Sequence, residues 1–352
     1  ILIGLVGSEM CIRDRQILML RKIANILFIV LAITSCTNNA TTEKHQTVRN
    51  KIENCYQKVK EFQTGDILIG STTRLYSMDN HLIIADHKSS NQLIHIFNMQ
   101  DFTYVQSIGE LGQGPGEITI LGNIGIDNIR KNLYISDYGK QKIFSYNVDS
   151  AFANPFYMPN VKMEMDKGIF PDVYQFFSDT LAIGRMISPT SSSSFKQMLA
   201  RLNMQTGKIL PLKENHPEIE KKRVCFTASE TKNICVECYT GYDLMVITDI
   251  MGNLKYNIYG PEWKENPTAT HYYSKVALAK DKIIASYSGG NKRTDDYYPT
   301  KFFVFDIEGN YLKTLDINRK ITDFCYDDNS NRIIMSFNDD IQFGYLELNG
   351  LI

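Results

Sequence analysis

Short apolar runs separated by turn residues fill most of the chain beyond residue 65. Two stretches, His81–Gln100 and Asn132–Ser150, share one pattern. In each of them an apolar strand ends in Asp, a polar turn follows, and a second strand contains Ile-His-Ile-Phe or Ile-Phe-Ser-Tyr. Short strands that alternate with polar turns predict antiparallel hairpins.

Four looser copies of this unit follow along the chain: DTLAIGRM…KQMLARLNMQTGKILPL, NICVECYTGYDLMVITDIMGNLKYNIYG, DKIIASYSGG…KFFVFDIEGNYLKTLDI and NRIIMSFNDDIQFGYLELNG. Several units carry TG, MGN or EGN, which favour tight hairpin turns. The units recur at about 40–50 residues, the length of a four-stranded propeller blade. Because one blade cannot bury both of its faces, blades pack into a ring. We therefore predict an all-β fold, a six-bladed β-propeller over residues 65–352.

The final unit, Asn331–Leu348, is one strand short. The lone strand Asp66–Gly70 belongs to no other unit. We predict that it completes the last blade and so removes an open sheet edge.

An apolar run near the N-terminus, Ile23–Ile33, is too short to cross a membrane as a helix. Arg21 and Lys22 precede it, which is the layout of a secretory signal. The run closes in Ile-Thr-Ser-Cys, which resembles a bacterial lipobox, with Cys36 as the residue that is lipidated. We expect a signal peptide over residues 19–35; the alternative is a buried strand that ends in an unreactive cysteine.

The segments on either side of this signal are also assigned. Residues 1–18 resemble a translated sequencing adapter, most clearly at Leu5–Arg15, and we leave them out of the fold. Residues 36–64 are expected to be a flexible tether, because Thr37–Asn50 lacks apolar periodicity.

Composition narrows the function classes. The chain has 352 residues, 43% of them hydrophobic and 22% charged, which is ordinary for a globular protein. Its 20 Tyr and 18 Phe favour strands. A net charge of −1 provides no basic field for nucleic acid. We expect a monomer without a cofactor or a metal.

Ser107–Asp149 resembles an NHL-type propeller repeat with its G-x-G-P-G-E entry. From about Gly65 to Leu348 the chain resembles the TolB-like six-bladed propeller lipoproteins of Bacteroides-type bacteria. This resemblance implies a fold and a cell-envelope location, but it does not imply a particular chemistry.

The glycine-rich turn of that repeat contains Gly112, Gly114, Pro115, Gly116 and Glu117. A phosphate-binding loop leads from a strand into a helix. This turn leads into another strand, so we interpret it as a connection between two blades.

Asp86 and Asp137 occupy matching positions in the repeat. An Asp at the start of a turn caps backbone N–H groups. The alternative is that these carboxylates line a channel mouth and bind a cation or a cationic ligand. Tyr272 and Tyr273 are candidates for stacking on a sugar, against the alternative of ordinary surface aromatic residues.

The stretch from Cys225 to Cys238 predicts a hairpin around Glu230 and Asn233. If those two residues face each other, Cys225 lies opposite Cys238, close enough for a disulfide or for simple proximity. Cys235 and Cys238 form a C-x-x-C inside a strand, where their side chains point to opposite faces and cannot share a metal.

No H-E-x-x-H or G-x-S-x-G motif is present, and the histidines are scattered. The leading hypothesis is a lipid-anchored propeller of the cell envelope, facing the periplasm, on the outer membrane rather than the inner. It would bind a protein, a peptide or a glycan without catalysis. The alternative is a hydrolase or lyase with its active site at the mouth of the propeller channel.

Overall fold

The computed structural model describes residues 42–191, 193–213, 219, 222–266 and 268–352. Cys36, the expected signal peptide and residues 1–18 therefore lie outside the described residues.

The described chain begins with a segment of three short strands. They are β1 (Glu43–His45), β2 (Ile52–Asn54) and β3 (Lys60–Phe62), with a 3₁₀ turn at Tyr56–Lys58. Each of these strands joins the sheet of a different blade.

Six sheets follow in chain order, and each runs from an innermost to an outermost strand. Blade 1 contains β4 (Thr73–Met78), β5 (His81–Asp86), β6 (Gln92–Asn98) and β7 (Tyr104–Glu110). Blade 2 contains β8 (Leu121–Asp127), β9 (Asn132–Asp137), β10 (Lys142–Asn147) and β11 (Asn160–Glu164), with helix α1 (Val148–Ala153) before its last strand. Blade 3 contains β12 (Phe170–Ser178), β13 (Leu181–Pro189), β14 (Phe195–Leu202) and β15 (Ile209–Pro211).

The second half repeats this plan and takes up the N-terminal strands. Blade 4 contains β16 (Val224–Ser229), β17 (Ile234–Tyr239), β18 (Leu244–Thr248) and β19 (Leu254–Tyr259), and β1 pairs in parallel with β19. Blade 5 contains β20 (Thr270–Ala279), β21 (Lys282–Asn291), β22 (Lys301–Asp306) and β23 (Tyr311–Asp316), a 3₁₀ turn at Asp295–Tyr297, and β2 in parallel with β23. Blade 6 contains β24 (Ile321–Asp327), β25 (Arg332–Phe337), β26 (Phe343–Glu347) and the N-terminal β3. The predicted all-β, six-bladed propeller is confirmed.

The strand that closes the ring is β3, so the prediction of Asp66–Gly70 is wrong. β3 pairs antiparallel with β26, Phe62 opposite Phe343. Residues 66–70 form no ladder; Ile67 and Ile69 pack against the core between blades 6 and 1, while Leu68 is 93% exposed. The alternation that suggested a strand comes from a loop that buries every second side chain.

The expected flexible tether is also wrong for residues 43–62. Backbone pairing holds this stretch against blades 4, 5 and 6, because parallel addition to an outer strand needs hydrogen bonds rather than apolar periodicity. A segment of mixed polarity therefore becomes an ordered edge.

One apolar cluster fills each of the six spaces between neighbouring blades. The middle strands are covered on both faces, and the whole of β17 and β25 is buried. Members of the six clusters, one from each blade of the pair, are Ile94 and Ile124, Ile143 and Leu202, Ile183 and Cys235, Val236 and Ile283, Val304 and Phe324, and Ile334 and Leu82. Packing of blade on blade thus holds the ring together.

Within the described part of the chain, no helix has the length and apolar character that crossing a membrane requires.

Candidate functional site

The inner strands β4, β8, β12, β16, β20 and β24 lie around the centre of the propeller. Their first residues and the turns after the second strands share one end of the ring, because the two strands are antiparallel. At this end, polar side chains from blades 1, 2, 5 and 6 come together. We call this group the channel mouth: Arg74, Tyr76, His87, Tyr138, Lys275 and Asp323.

Arg74 is the second residue of β4 and is half-buried. Its guanidinium hydrogen-bonds to Tyr76, and no carboxylate of a described residue lies within 4 Å of it. Burial opposes the charge, but Tyr76 and Asp323 nevertheless hold the pKa of Arg74 above its ordinary value. The guanidinium is thus a desolvated cation without an ion-pair partner.

Lys275 on β20 does have a partner. Its ammonium lies 2.8 Å from Asp323, which also accepts the backbone N–H of Leu75 at 2.7 Å. The same ammonium lies 5.9 Å from the centre of the Tyr76 ring. Asp323 therefore neutralises Lys275, and Arg74 remains as the uncompensated charge of the channel mouth.

His87 and Tyr138 occupy equivalent positions, each directly after the Asp that ends the second strand of its blade. Their backbone N–H groups make equivalent bonds, His87 to the carbonyl of Thr72 and Tyr138 to that of Ile120. The Nε2 atom of His87 is buried and has no hydrogen-bond partner among the described residues. Burial and then Arg74 lower the pKa of His87, so the ring is neutral at pH 7.

The hydroxyl of Tyr138 donates to the carbonyl of Asp172 at 2.6 Å. Burial and then Asp172 raise the pKa of Tyr138. Its ring stands over Gly122, where a Cβ atom would lie 2.6 Å from the Tyr138 ring. The absence of a side chain at Gly122 thus makes room for Tyr138.

Asp86 and Asp137 do not bind a ligand at this mouth. Asp86 accepts the N–H groups of Gly70 at 2.7 Å and Lys88 at 2.8 Å. Asp137 accepts four backbone N–H groups, including that of Thr119 at 2.8 Å. Both residues are at least 99% buried. These carboxylates cap backbone amides, and that use of their oxygens contradicts a cation-binding role.

Tyr272 and Tyr273 are likewise unavailable as sugar platforms. They are 4% and 0% exposed and lie in the core between blades 4 and 5. Tyr273 donates to Asp243 at 2.9 Å, and Tyr272 donates to the carbonyl of Glu262 at 3.2 Å. The prediction that they contact a ligand is wrong, because the strand β20 carries both rings inward through a bulge.

The glycine-rich turn connects β7 of blade 1 to β8 of blade 2. The side chain of Glu117 accepts the N–H of Gly114 at 2.6 Å, and Lys140 donates to the carbonyls of Gly114 and Glu117, each at 2.7 Å. Gly116 has a φ of 79° and its carbonyl accepts from Tyr146. Side chains of blade 2 occupy the turn, as the interpretation as a blade connection requires; Gly112 and Pro115 belong to the same loop.

The hairpin of blade 4 has the predicted register, with Cys225 opposite Cys238. Both thiols are free, and Cys225 lies 3.7 Å from the carbonyl of Cys238. Thr240 donates to the carbonyl of Arg223 in the same ladder. The cysteines, two positions further along, are therefore also a hydrogen-bonded pair, whose side chains stand farther apart than those of a non-hydrogen-bonded pair.

A serine and a histidine that sequence reasoning did not select lie together on the outer strands of blade 1. Nδ1 of His95 is 2.7 Å from Oγ of Ser107. They are 5% and 7% exposed, and Nε2 of His95 has no hydrogen-bond partner among the described atoms. A substrate has no access to this pair, so it does not form a hydrolytic site. Among the described residues, no three His, Cys, Asp or Glu side chains are placed to hold a metal ion.

A family model of six-bladed β-propellers, DUF5128, matches residues 62–188, which is about a third of the chain. No curated protein matches the chain. Among solved structures, a member of the DUF4221 family from Bacteroides vulgatus is 12% identical, with a TM-score of 0.58 over 81% of this chain and 94% of its own.

Two further solved structures share the architecture. A Bacteroides fragilis protein described as exported is 13% identical, with a TM-score of 0.53 over 86% of this chain and 97% of its own. A luciferin-regenerating enzyme is 10% identical, with a TM-score of 0.52 over 82% of this chain and 94% of its own. At such identities a likeness shows the fold alone, and together with the family model it supports a six-bladed β-propeller family.

Proposed function

We propose that this chain is a lipid-anchored propeller of the cell envelope that binds a protein or peptide at the channel mouth and does not catalyse a reaction. The observation that carries this proposal is Arg74, a half-buried guanidinium without a carboxylate partner in the described chain. A desolvated charge costs stability unless something pairs with it. A group retained at such a cost, in the one place where four blades converge, is suited to a ligand.

The alternative activity, hydrolysis or elimination, needs a nucleophile or a base within reach of a second catalytic group. The channel mouth instead offers cations, phenols and one carboxylate, Asp323, that is already bound to Lys275. A glycan ligand is less favoured than a peptide, because Tyr272 and Tyr273 are buried. These features favour binding over catalysis.

The cell-envelope part of the proposal rests on the sequence around Cys36 and on the similarity to an exported protein of Bacteroides fragilis. Lipidation of Cys36 would hold the propeller near a membrane. Since β1 begins at Glu43, the chain between the two residues spans about 20 Å at full extension. Cys36→Ser should release the protein from the detergent phase into the aqueous phase, and unchanged partitioning of this variant would contradict the anchor.

Site-specific photo-crosslinking in intact cells tests the binding role. A crosslinking residue at Lys88, which is exposed beside the channel mouth, is compared with one at Ile129, which is 92% exposed on a turn at the other end of the ring. We expect one discrete partner to be captured at Lys88 and not at Ile129. Equal capture at both positions, or a partner seen only at Ile129, would contradict a binding role of the channel mouth.

A further inference from the structure

We propose that Arg74 and His87 bind the carboxylate group of a peptide ligand. This inference rests on the proposed binding function and names the chemical group that the channel mouth recognises.

The first step is the charge balance of Arg74. Other buried guanidinium groups of the propeller have a carboxylate at hydrogen-bond distance: Arg49 with Asp243 at 2.8 Å, Arg185 with Asp172 at 2.6 Å and Arg332 with Asp327 at 2.9 Å. Arg74 has only the Tyr76 hydroxyl. Its planar fork of N–H donors matches a carboxylate better than any other common anion.

The second step is the neighbouring imidazole. Nε2 of His87 is buried without a hydrogen-bond partner among the described residues, and Arg74 is close enough to lower the pKa of this histidine. The other charged groups that act on His87 are Asp86 and Asp323. Asp86 is already engaged with backbone amides, and Asp323 with Lys275. An anion that reaches Arg74 therefore meets a second donor that has no competing acceptor.

The charge and the shape of the site select the class of ligand. One cation is uncompensated, because Asp323 neutralises Lys275, and this matches a single negative charge rather than a phosphate dianion. A sugar acid would also need an aromatic face on which to stack. The aromatic rings beside Arg74 are held by the protein: Tyr138 donates to Asp172, and Tyr76 lies between Arg74 and Lys275. A peptide carboxylate needs only the donors.

The test uses small probes with the whole protein and follows the His87 ring by NMR. N-acetyl-Ala-Ala, with its free carboxylate, is compared with its C-terminal amide, with glucuronate and with inorganic phosphate. We expect the free acid to shift the His87 resonances in a saturable way and to raise the pKa of His87, and we expect the amide to leave both unchanged. Equal binding of acid and amide, or stronger binding of glucuronate or phosphate than of the peptide acid, would overturn the proposal.

Arg74→Gln is the key variant, and Arg293→Gln, which removes an exposed guanidinium from the blade 5 loop, is its matched control. We expect Arg74→Gln to weaken binding of the peptide acid at least about tenfold and Arg293→Gln to leave it unchanged. Because Arg74 has no ion pair to lose, Arg74→Gln should unfold at no lower denaturant concentration than the parent. Unchanged binding by this folded variant would refute the role of Arg74. Continued crosslinking at Lys88 would then show that the mouth still binds a partner by other contacts.

Discussion

The guanidinium of Arg49 lies 2.8 Å from the carboxylate of Asp243, and their side chains are 5% and 0% exposed. Arg49 stands between β1 and β2, whereas Asp243 precedes β18 of blade 4. The Arg49 guanidinium also lies 4.7 Å from the ring centre of Phe303 in blade 5. One side chain of the N-terminal segment is therefore inserted between two blades.

Arg49→Met should destabilise the propeller strongly. It leaves the buried carboxylate of Asp243 with its Tyr273 and backbone contacts but without a counter-charge, which typically costs about 3–5 kcal/mol. The urea midpoint should fall accordingly. Arg293→Met, at an exposed position, should stay within about 0.5 kcal/mol of the parent. A loss below about 1 kcal/mol in Arg49→Met would show that the N-terminal segment is not part of the folded unit.

Ring closure is tested by two alanine substitutions only six positions apart. Phe62 stacks on Phe102 at 3.8 Å and faces Phe343 at 5.6 Å, so we expect Phe62→Ala to cost about 2 kcal/mol. Leu68→Ala, in the segment first expected to close the ring, should cost less than about 0.5 kcal/mol, because Leu68 is 93% exposed. The opposite order of the two urea midpoints would restore residues 66–70 as the closing element.

The repeat pattern predicted the six blades and the Cys225–Cys238 register, because periodicity and turn residues act locally. It missed β1 and β2, since strands that join an outer edge in parallel need no apolar alternation. It also misplaced Tyr272 and Tyr273, because a bulge in β20 changes which way the rings face. Arg74 stood out only after the fold showed which arginines lack a carboxylate, although His87 and Tyr138 were detectable as equivalent positions after the repeated Asp.

Acidification should destabilise the protein between about pH 6.5 and pH 4. Burial, followed by Lys292, lowers the pKa of His271 to about 4, and burial lowers the pKa of His81, His87 and His95. The unfolded chain binds protons near pH 6.5 that the folded chain refuses, so stability is complete above pH 6.5 and falls below it. Urea unfolding across this range measures the slope, and His271→Gln should reduce it. Stability that is constant or rises on acidification would contradict the burial of these rings.

Cys225 and Cys238 should remain free thiols. They face each other at a hydrogen-bonded position, where the separation of the side chains is unfavourable for a disulfide. Burial, followed by Cys225, raises the pKa of Cys238, which keeps this thiol protonated and unreactive. Thiol titration of unreduced protein in denaturant, with peptide mapping, should find both residues free. A peptide that joins the two cysteines would show that the hairpin adapts to a crosslink.

The central claim is that a partner binds over the channel mouth. Hydrogen–deuterium exchange of the protein, alone and with the partner captured at Lys88, tests it most directly. We predict that bound protein gains protection in residues 72–76, 87–91 and 138–141, and that the turn around Ile129 exchanges as in the free protein. Protection confined to the turn around Ile129, or to the outer strands of the blades, would contradict the account.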